Sequence, residues 1–297
     1  MWVIASVRVH NGCVATILSI QSAVAYGHVG NSAAVFPLQR AGHEVWPVYT
    51  VNYSNHTGYG AWEGPVIPAE QVSAIIKGVG DRGAFPHIDA ILSGYQGGPD
   101  IVGAIVQAVR DVKAANPNAV YACDPVMGNE KSGCFVSPEI PPLLRSDVLE
   151  VADIITPNQF ELGYLTEMPV DTLEQTLAAV DKAREIGPKC VLVTSVERPD
   201  RPEGTIEMIA VDDSGVWAVQ TPYLPFKING SGDVTAALFT GHYVETRSAE
   251  TALARTASSV FDLLEKTYQA GARELQLVQS QDAYANPRLQ FQVRKLG

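Results

Sequence analysis

IDAILSGYQGGPDIVGAIVQAVRDVKAANPNAVYACDPV, residues 88–126, reads as one strand–helix–strand unit. Ile88–Ser93 and Val120–Val126 are short apolar runs of strand length, and Pro99–Ala115 between them carries a helical apolar pattern. Working outward, the alternation continues. Strands are expected at Ala15–Gln21, Val45–Val51, Asp153–Thr156 and Cys190–Ser195, and a hairpin at Glu207–Val211 and Val216–Gln220, turned by Asp212-Asp213-Ser214-Gly215. Helices are expected at Asn31–Ala41, Pro68–Val79, Asn158–Thr166, Asp171–Ile186, Gly232–Val244 and Ala249–Tyr268. Such alternation implies a three-layer α/β fold, a central, mostly parallel sheet with helices on both faces.

In open sheets of this kind ligands bind beyond the carboxyl ends of the strands. The strand ends therefore supply the candidates. Polar groups follow the apolar runs directly at Gln21-Ser22, Ser93-Gly94-Tyr95, Asp124-Pro125, Thr156-Pro157-Asn158 and Thr194-Ser195.

Composition bounds the partners. The 297 residues are 46% hydrophobic with a net charge of −11, and no Lys/Arg cluster occurs, so nucleic-acid and anionic-membrane binding are not expected. A metal ion and a local anion site can still hold a nucleotide against that field. No apolar run reaches the ~20 residues that span a bilayer. Cys13, Cys123, Cys134 and Cys190 form no CxxC pair, and Cys123 and Cys190 sit in strand-like runs, as buried free thiols in a reducing cytoplasm would. Residues 1–14 lack the basic start and long apolar stretch of a signal peptide and read as an N-terminal extension, and 15–297 as a single domain.

Two glycine-rich stretches could cradle phosphate. Gly78-Val79-Gly80-Asp81-Arg82-Gly83 follows a helical pattern, and Gly83-Ala84-Phe85-Pro86 cannot start a helix, so it reads as a helix end and surface turn. Asn229-Gly230-Ser231-Gly232-Asp233 instead precedes an apolar helix. There the glycines let several N–H groups converge at the positive helix end, an anion hole for a phosphoryl group in transit. Asp233, in the first turn, is either the base of a phosphoryl transfer, expected to stay ionised, or a helix cap. No Walker A sequence, nucleophile elbow or protein-kinase signature is present.

Seven short motifs stand in order: Ser19-Ile-Gln-Ser22, Tyr26-Gly-His-Val-Gly-Asn31, Ser54-Asn-His-Thr-Gly58, Ser93-Gly-Tyr95, Cys123-Asp-Pro-Val-Met-Gly128, Ile155-Thr-Pro-Asn-Gln-Phe-Glu161 and Gly230-Ser-Gly-Asp233. With the closing Glu274-Leu-Gln-Leu277 and Asn286-Pro-Arg288 they resemble the pyridoxal kinases of the ribokinase superfamily from about residue 15 onward. The resemblance implies a ribokinase-like fold with a small β flap, and ATP-dependent phosphorylation of the 5′-hydroxymethyl group of pyridoxal, pyridoxine and pyridoxamine. It implies Asp233 as the base beside an anion hole of Gly230 and Gly232, and Ser22, Thr57 and Tyr95 at the vitamer. It implies Asp124 and Glu161 at Mg²⁺, with Thr156, Asn158, Thr194, Ser195, Thr221 and Leu224 on the ATP side. It also implies a homodimer, and leaves open a monovalent cation. Ser231 stands where many members have Thr or Val, and Asn129 where some have Asp.

Plainer roles compete. Asp124 could cap its turn, Asn158 and Glu161 could form a capping box, His28 could brace the Gly27–Gly30 turn, and His56, Tyr95 and Trp46 could be structural. A hydroxymethylpyrimidine or sugar kinase would share the fold, and a vitamer-binding protein without turnover would share the pocket.

Overall fold

The computed structural model describes residues 14–296; the expectations for residues 1–13, Cys13 included, lie outside them. In chain order the strands are β1 (Thr16–Val24), β2 (Glu44–Tyr53), β3 (Ala90–Ser93), β4 (Val120–Cys123), β5 (Gly128–Asn129), β6 (Gly133–Cys134), β7 (Ile154–Ile155), β8 (Cys190–Val196), β9 (Thr205–Asp212), β10 (Gly215–Pro222) and β11 (Arg294–Leu296). Nine form one sheet, ordered β11-β10-β9-β8-β7-β4-β3-β1-β2, while β5 and β6 pair as a separate small hairpin. From β2 to β8 every pairing is parallel, and β9, β10 and β11 add on antiparallel.

The strands alternate side chains to two cores, as a period-2 element must. Leu18, Ile20, Tyr121, Val191 and Val193 pack on the face covered by the helices Ala69–Gly80, Pro99–Ala115 and Leu173–Ile186. Ile17, Val120, Ala122 and Leu192 pack on the face covered by Asn31–Arg40, Ser231–Thr246 and Ala249–Gln269. A third cluster, including Val234, Leu238, Leu263, Leu275 and Leu277, joins those last helices to the C-terminal segment.

Several boundaries differ from the sequence reading. β4 stops at Cys123 and not at Val126, because Pro125 has no N–H for a ladder. β1 runs on through Ser22 to Val24, so Ser22 is inside the strand. Its pairing slips there: Gln21 faces Tyr49 but Ala23 faces Asn52, so β2 carries an extra residue opposite Ser22. The segment 140–151 is helical, in three pieces that open on Pro141 and Pro142. The Gly78–Gly83 stretch ends the helix Ala69–Gly80 and turns into Phe85–His87, as expected.

Candidate active site

The chain leaves β1 for β2 on one side and then returns to β3 on the other, which makes the β1/β3 border the topological switch point. A cavity of about 570 Å³ opens beyond it, lined by residues from the carboxyl ends of β1, β3, β4, β7 and β8, the 51–58 stretch, the β5–β6 hairpin and the entry to the helix Ser231–Thr246. Every candidate residue lines it except two. Thr221 is buried in the β9–β10 ladder opposite Ile206, and Leu224 follows it outside the cavity wall.

The vitamer-side candidates converge. Ser22 is buried at the slip in β1, and Tyr95 sits half-buried after β3. The Thr50 hydroxyl donates to the Tyr95 carbonyl at 2.8 Å, which ties that loop to β2. Thr57 is exposed in a short 3-10 turn, Thr57–Tyr59, capped by His56, whose Nδ1 accepts from the Gly58 N–H at 3.0 Å. His56 therefore has the structural role and lines the cavity as well. The Ser54–Glu63 loop is held by its own bonds: Ser54 Oγ donates to Asn55 Oδ1 and accepts from the Glu63 N–H, and Asn55 Nδ2 donates to the Ala61 carbonyl. A bridge between Val51 and Val66 closes its base. This loop and the β5–β6 hairpin are the flap elements.

At the helix entry, Gly230 is left-handed (φ 87°), and a Cβ on it would stand 1.8 Å from the His28 carbonyl oxygen. Only glycine lets the loop approach that turn so closely. No side chain caps the helix. The Ser231 and Gly232 N–H groups are thus left to receive an anion, and Asp233 is not the N-cap residue. The Gly30 N–H donates to the Asp233 carboxylate, as does Asp233's own N–H. Burial nevertheless outweighs these bonds and pushes Asp233 up to about 6. Its side chain remains half-exposed to the cavity. At neutral pH it is mostly ionised, and it is a stronger base than an ordinary aspartate.

Two further carboxylates face it. Burial first, then the charges of Glu161 and Asp233, hold Asp124 well above the usual carboxylate range, against a 3.0 Å hydrogen bond from the Thr156 hydroxyl. Glu161 is pushed up to about 7, by burial first. Both its oxygens are already engaged: Oε1 accepts from the Met127 and Gly128 N–H groups at 2.9 and 3.3 Å, and Oε2 from the Asn158 N–H at 2.9 Å. Asn158 Oδ1 accepts in return from the Glu161 N–H, completing a capping box, and its Nδ2 donates to the Gly128 carbonyl. Asn158 and Glu161 thus fasten the β5–β6 hairpin to the end of β7. Among the described residues no group of three His, Cys, Asp or Glu is arranged to hold a metal by itself. Buried carboxylates gathered this way, with the charge of Asp233 raising both Asp124 and Glu161, fit a cation shared with phosphate oxygens and water, the habit of Mg²⁺.

On the far side, β8 bulges between Val193 and Val196, and Ser195 takes a left-handed φ of 53°. The bulge takes Thr194 and Ser195 out of the pairing with β9, while the Thr194 N–H still donates to the Pro157 carbonyl at 2.9 Å, and both residues line the cavity.

Sequence reasoning placed Gly30 and Asn31 in the Tyr26–Asn31 motif but gave neither a role at the site. Asn31 is buried, and its Nδ2 donates to the carbonyls of Ser19, Gln21 and Val48, which pins the Gly27–Asn31 turn over β1 and β2. His28 braces that turn through Ser32 and does not line the cavity. Nor did it find the buried pair Arg198–Glu207 beyond the bulge, at 2.7 Å.

A family model described as phosphomethylpyrimidine kinase matches residues 66–277. The chain is 69% identical over 281 residues to pyridoxal kinase PdxY of Leifsonia xyli, covering 95% of this chain and 99% of that one, and 67% identical over the same length to pyridoxal kinase PdxY of Corynebacterium diphtheriae. Pyridoxal kinase from Leishmania donovani, solved with ADP and pyridoxine, superposes with a TM-score of 0.88 at 28% identity, covering 95% of this chain and 99% of that one.

Proposed function

This chain belongs to the pyridoxal kinase family, and on that premise we propose that Asp233 is the base of an ATP-dependent phosphorylation of the 5′-hydroxymethyl group of B6 vitamers. The observation that carries the reading is the convergence of a carboxylate raised to about 6 with an uncapped, glycine-shaped helix entry in one cavity. Phosphoryl transfer asks for alignment and charge stabilisation more than covalent chemistry.

The vitamer lies between Ser22, Thr57 and Tyr95, with its hydroxymethyl group toward Asp233. The triphosphate runs from the Gly230–Gly232 N–H groups past Asp124, Thr156 and Asn158 toward Thr194 and Ser195, and adenosine extends on toward the Thr221–Leu224 segment. Asp233 takes the hydroxyl proton as the oxygen attacks the γ-phosphorus in line with the departing ADP. The helix N–H groups receive the charge that gathers on the phosphoryl oxygens. Asp124 and Glu161 would hold Mg²⁺, which would supply neutralisation of the phosphate charge. Closing the flap keeps water from competing for the phosphoryl group.

The single nine-stranded sheet supports reading 15–297 as one kinase domain. Among the described residues no helix is long and apolar enough to cross a membrane, and Cys123 and Cys190 are buried free thiols, which suits a reducing cytoplasm. A homodimer and a monovalent cation rest on family likeness alone.

The family model's description, phosphomethylpyrimidine kinase, favours one second reading, a kinase of methylpyrimidine substrates such as hydroxymethylpyrimidine. Coupled assays on pyridoxal, pyridoxamine, hydroxymethylpyrimidine and ribose separate the two. Turnover highest on a B6 vitamer is expected; turnover on the pyrimidine alone would replace the proposal.

The acid limb follows from Asp233. A raised carboxyl is protonated, and useless as a base, at pH values where an ordinary aspartate still works. In the free enzyme, kcat/KM should therefore hold at neutral pH and fall as pH drops through about 6, about tenfold per pH unit below it. The same limb should appear with two vitamers whose ring groups titrate differently. A limb set by the vitamer, or lying near pH 4, would count against Asp233.

A further inference from the structure

The closing Glu274-Leu-Gln-Leu277 motif lies outside the cavity wall, yet one carboxylate in it joins two segments that form the site. Glu274 Oε1 accepts from the Tyr59 hydroxyl at 2.5 Å, and Oε2 accepts from the His28 backbone N–H at 3.1 Å. Tyr59 ends the 3-10 turn that begins with Thr57. Its ring lies edge-on to Tyr26, with centroids 6.0 Å apart, and the Arg273 guanidinium sits 5.1 Å over it. His28 belongs to the turn whose Gly30 N–H donates to Asp233 and whose carbonyl abuts Gly230.

The post that carries Glu274 is anchored from below. Leu275 and Leu277 are buried in the core cluster with Val234 and Leu238. The Gln276 N–H donates to the Thr267 hydroxyl at 3.1 Å, fixing the segment to the helix Ala249–Gln269. A Cβ on Gly27 would meet Glu274 at 2.5 Å, so the turn passes close against the carboxylate. Two surface segments therefore share one acceptor, beside the direct backbone bonds between them, in which the Ala25 and Tyr26 N–H groups donate to the Tyr53 and Ser54 carbonyls at 2.9 and 2.8 Å.

We propose that Glu274 is a positioning residue: it latches the flap through Tyr59 while bracing the Tyr26–Gly30 turn behind Asp233. It touches neither substrate in this arrangement. Its effect is to make closure of the loop bearing Thr57 and correct placement of Asp233 parts of one structure. The inference rests on reading Thr57 as a vitamer contact and Asp233 as the base. Releasing the hydroxyl should loosen the flap alone, whereas removing the carboxylate should loosen the flap and the turn together.

The test is a cycle of Tyr59→Phe, Glu274→Ala and the double variant in the full chain. Tyr59→Phe should raise the vitamer KM about tenfold with ATP KM unchanged, and Glu274→Ala should add a loss of kcat of about tenfold. ATP hydrolysis in the absence of vitamer should rise in both. The double variant should show no higher vitamer KM than Glu274→Ala, because the hydroxyl then has no partner to lose. Glu274→Gln, which keeps an acceptor, should recover most of the loss. Amide exchange of residues 54–63 should be faster in Tyr59→Phe and Glu274→Ala than in the parent. Independent multiplication of the two effects on vitamer KM, or unchanged exchange in both single variants, would overturn the latch. A parent without vitamer turnover would overturn the kinase reading instead, and the exchange comparison would still decide the latch. Tyr59→Phe removes only one oxygen from a half-buried side chain, so it decides the matter even if Glu274→Ala fails to fold.

Discussion

Asp233→Asn is expected to lower kcat for pyridoxal about a thousandfold while leaving the vitamer dissociation constant within about twofold. The substitution separates the two roles open to a carboxylate in a first helical turn. Asparagine caps a helix as well as aspartate does, so a capping residue would tolerate the change. The helix Ser231–Thr246 has no side-chain cap, and the Asp233 carboxylate instead accepts from Gly30 across the fold. Asparagine retains the size and an acceptor for that N–H, so the turn should keep its place. What is lost is a group able to take a proton, and the loss should fall on turnover. A fall in affinity of similar size to the fall in turnover would mark Asp233 as a binding group instead.

Gly230→Ala should lower kcat about a hundredfold, the scale of losing donors from an oxyanion hole, and should also lower Tm by a few degrees. The left-handed φ of 87° strains any residue with a Cβ, and that Cβ would collide with the His28 carbonyl, which is backbone and cannot swing aside. The loop would have to withdraw, taking its N–H groups away from the phosphoryl position. Gly232 is the internal comparison. A Cβ there meets no protein atom within 4 Å, so Gly232→Ala should keep its Tm while intruding on the cavity and slowing turnover. If Gly230→Ala lowers Tm but leaves kcat intact, the loop is a structural turn and not an anion hole. Tm is read from a thermal melt, and kcat from vitamer turnover at saturating ATP.

How much of this could be read from the chain depended on the range of the interaction. The long apolar runs and helical stripes were legible because burial on a sheet or a helix face leaves a local period. Ser22, Tyr95, Asp124 and Thr156 were legible as polar groups directly after such runs, and all four line the cavity. The β5–β6 hairpin was not, since two-residue strands have no period to display. The segment 140–151 was hidden by Pro141 and Pro142, which suppress a helix in the middle but are tolerated in its first turn. β11, Arg294-Lys295-Leu296, is too short and polar to read as a strand; it forms because the edge of β10 offers unpaired backbone groups.

The site shows the same division. Glu161 was legible as a carboxylate three residues after Asn158, a spacing shared by a capping box and a metal element; the structure makes it a box whose carboxylate also takes two N–H groups of the hairpin approach. The upward shift of Asp233 was not legible, because the sequence names the helix entry that favours its charge but not the burial that opposes it. Glu274 and Tyr59 are separated by 215 residues, and no local pattern could pair them.

Transfer of the γ-phosphate of ATP to the 5′ oxygen, with Asp233 as the base, can be followed directly. Parent and Asp233→Asn protein should be incubated side by side with pyridoxal and ATP labelled at the γ-phosphate, with vitamer binding measured on both by equilibrium dialysis. Labelled pyridoxal 5′-phosphate is expected from the parent and about a thousandfold less from the variant, with equal binding to both, if Asp233 is the base. Label transferred at the parental rate by the variant, or no label on the 5′ oxygen with either protein, would contradict it.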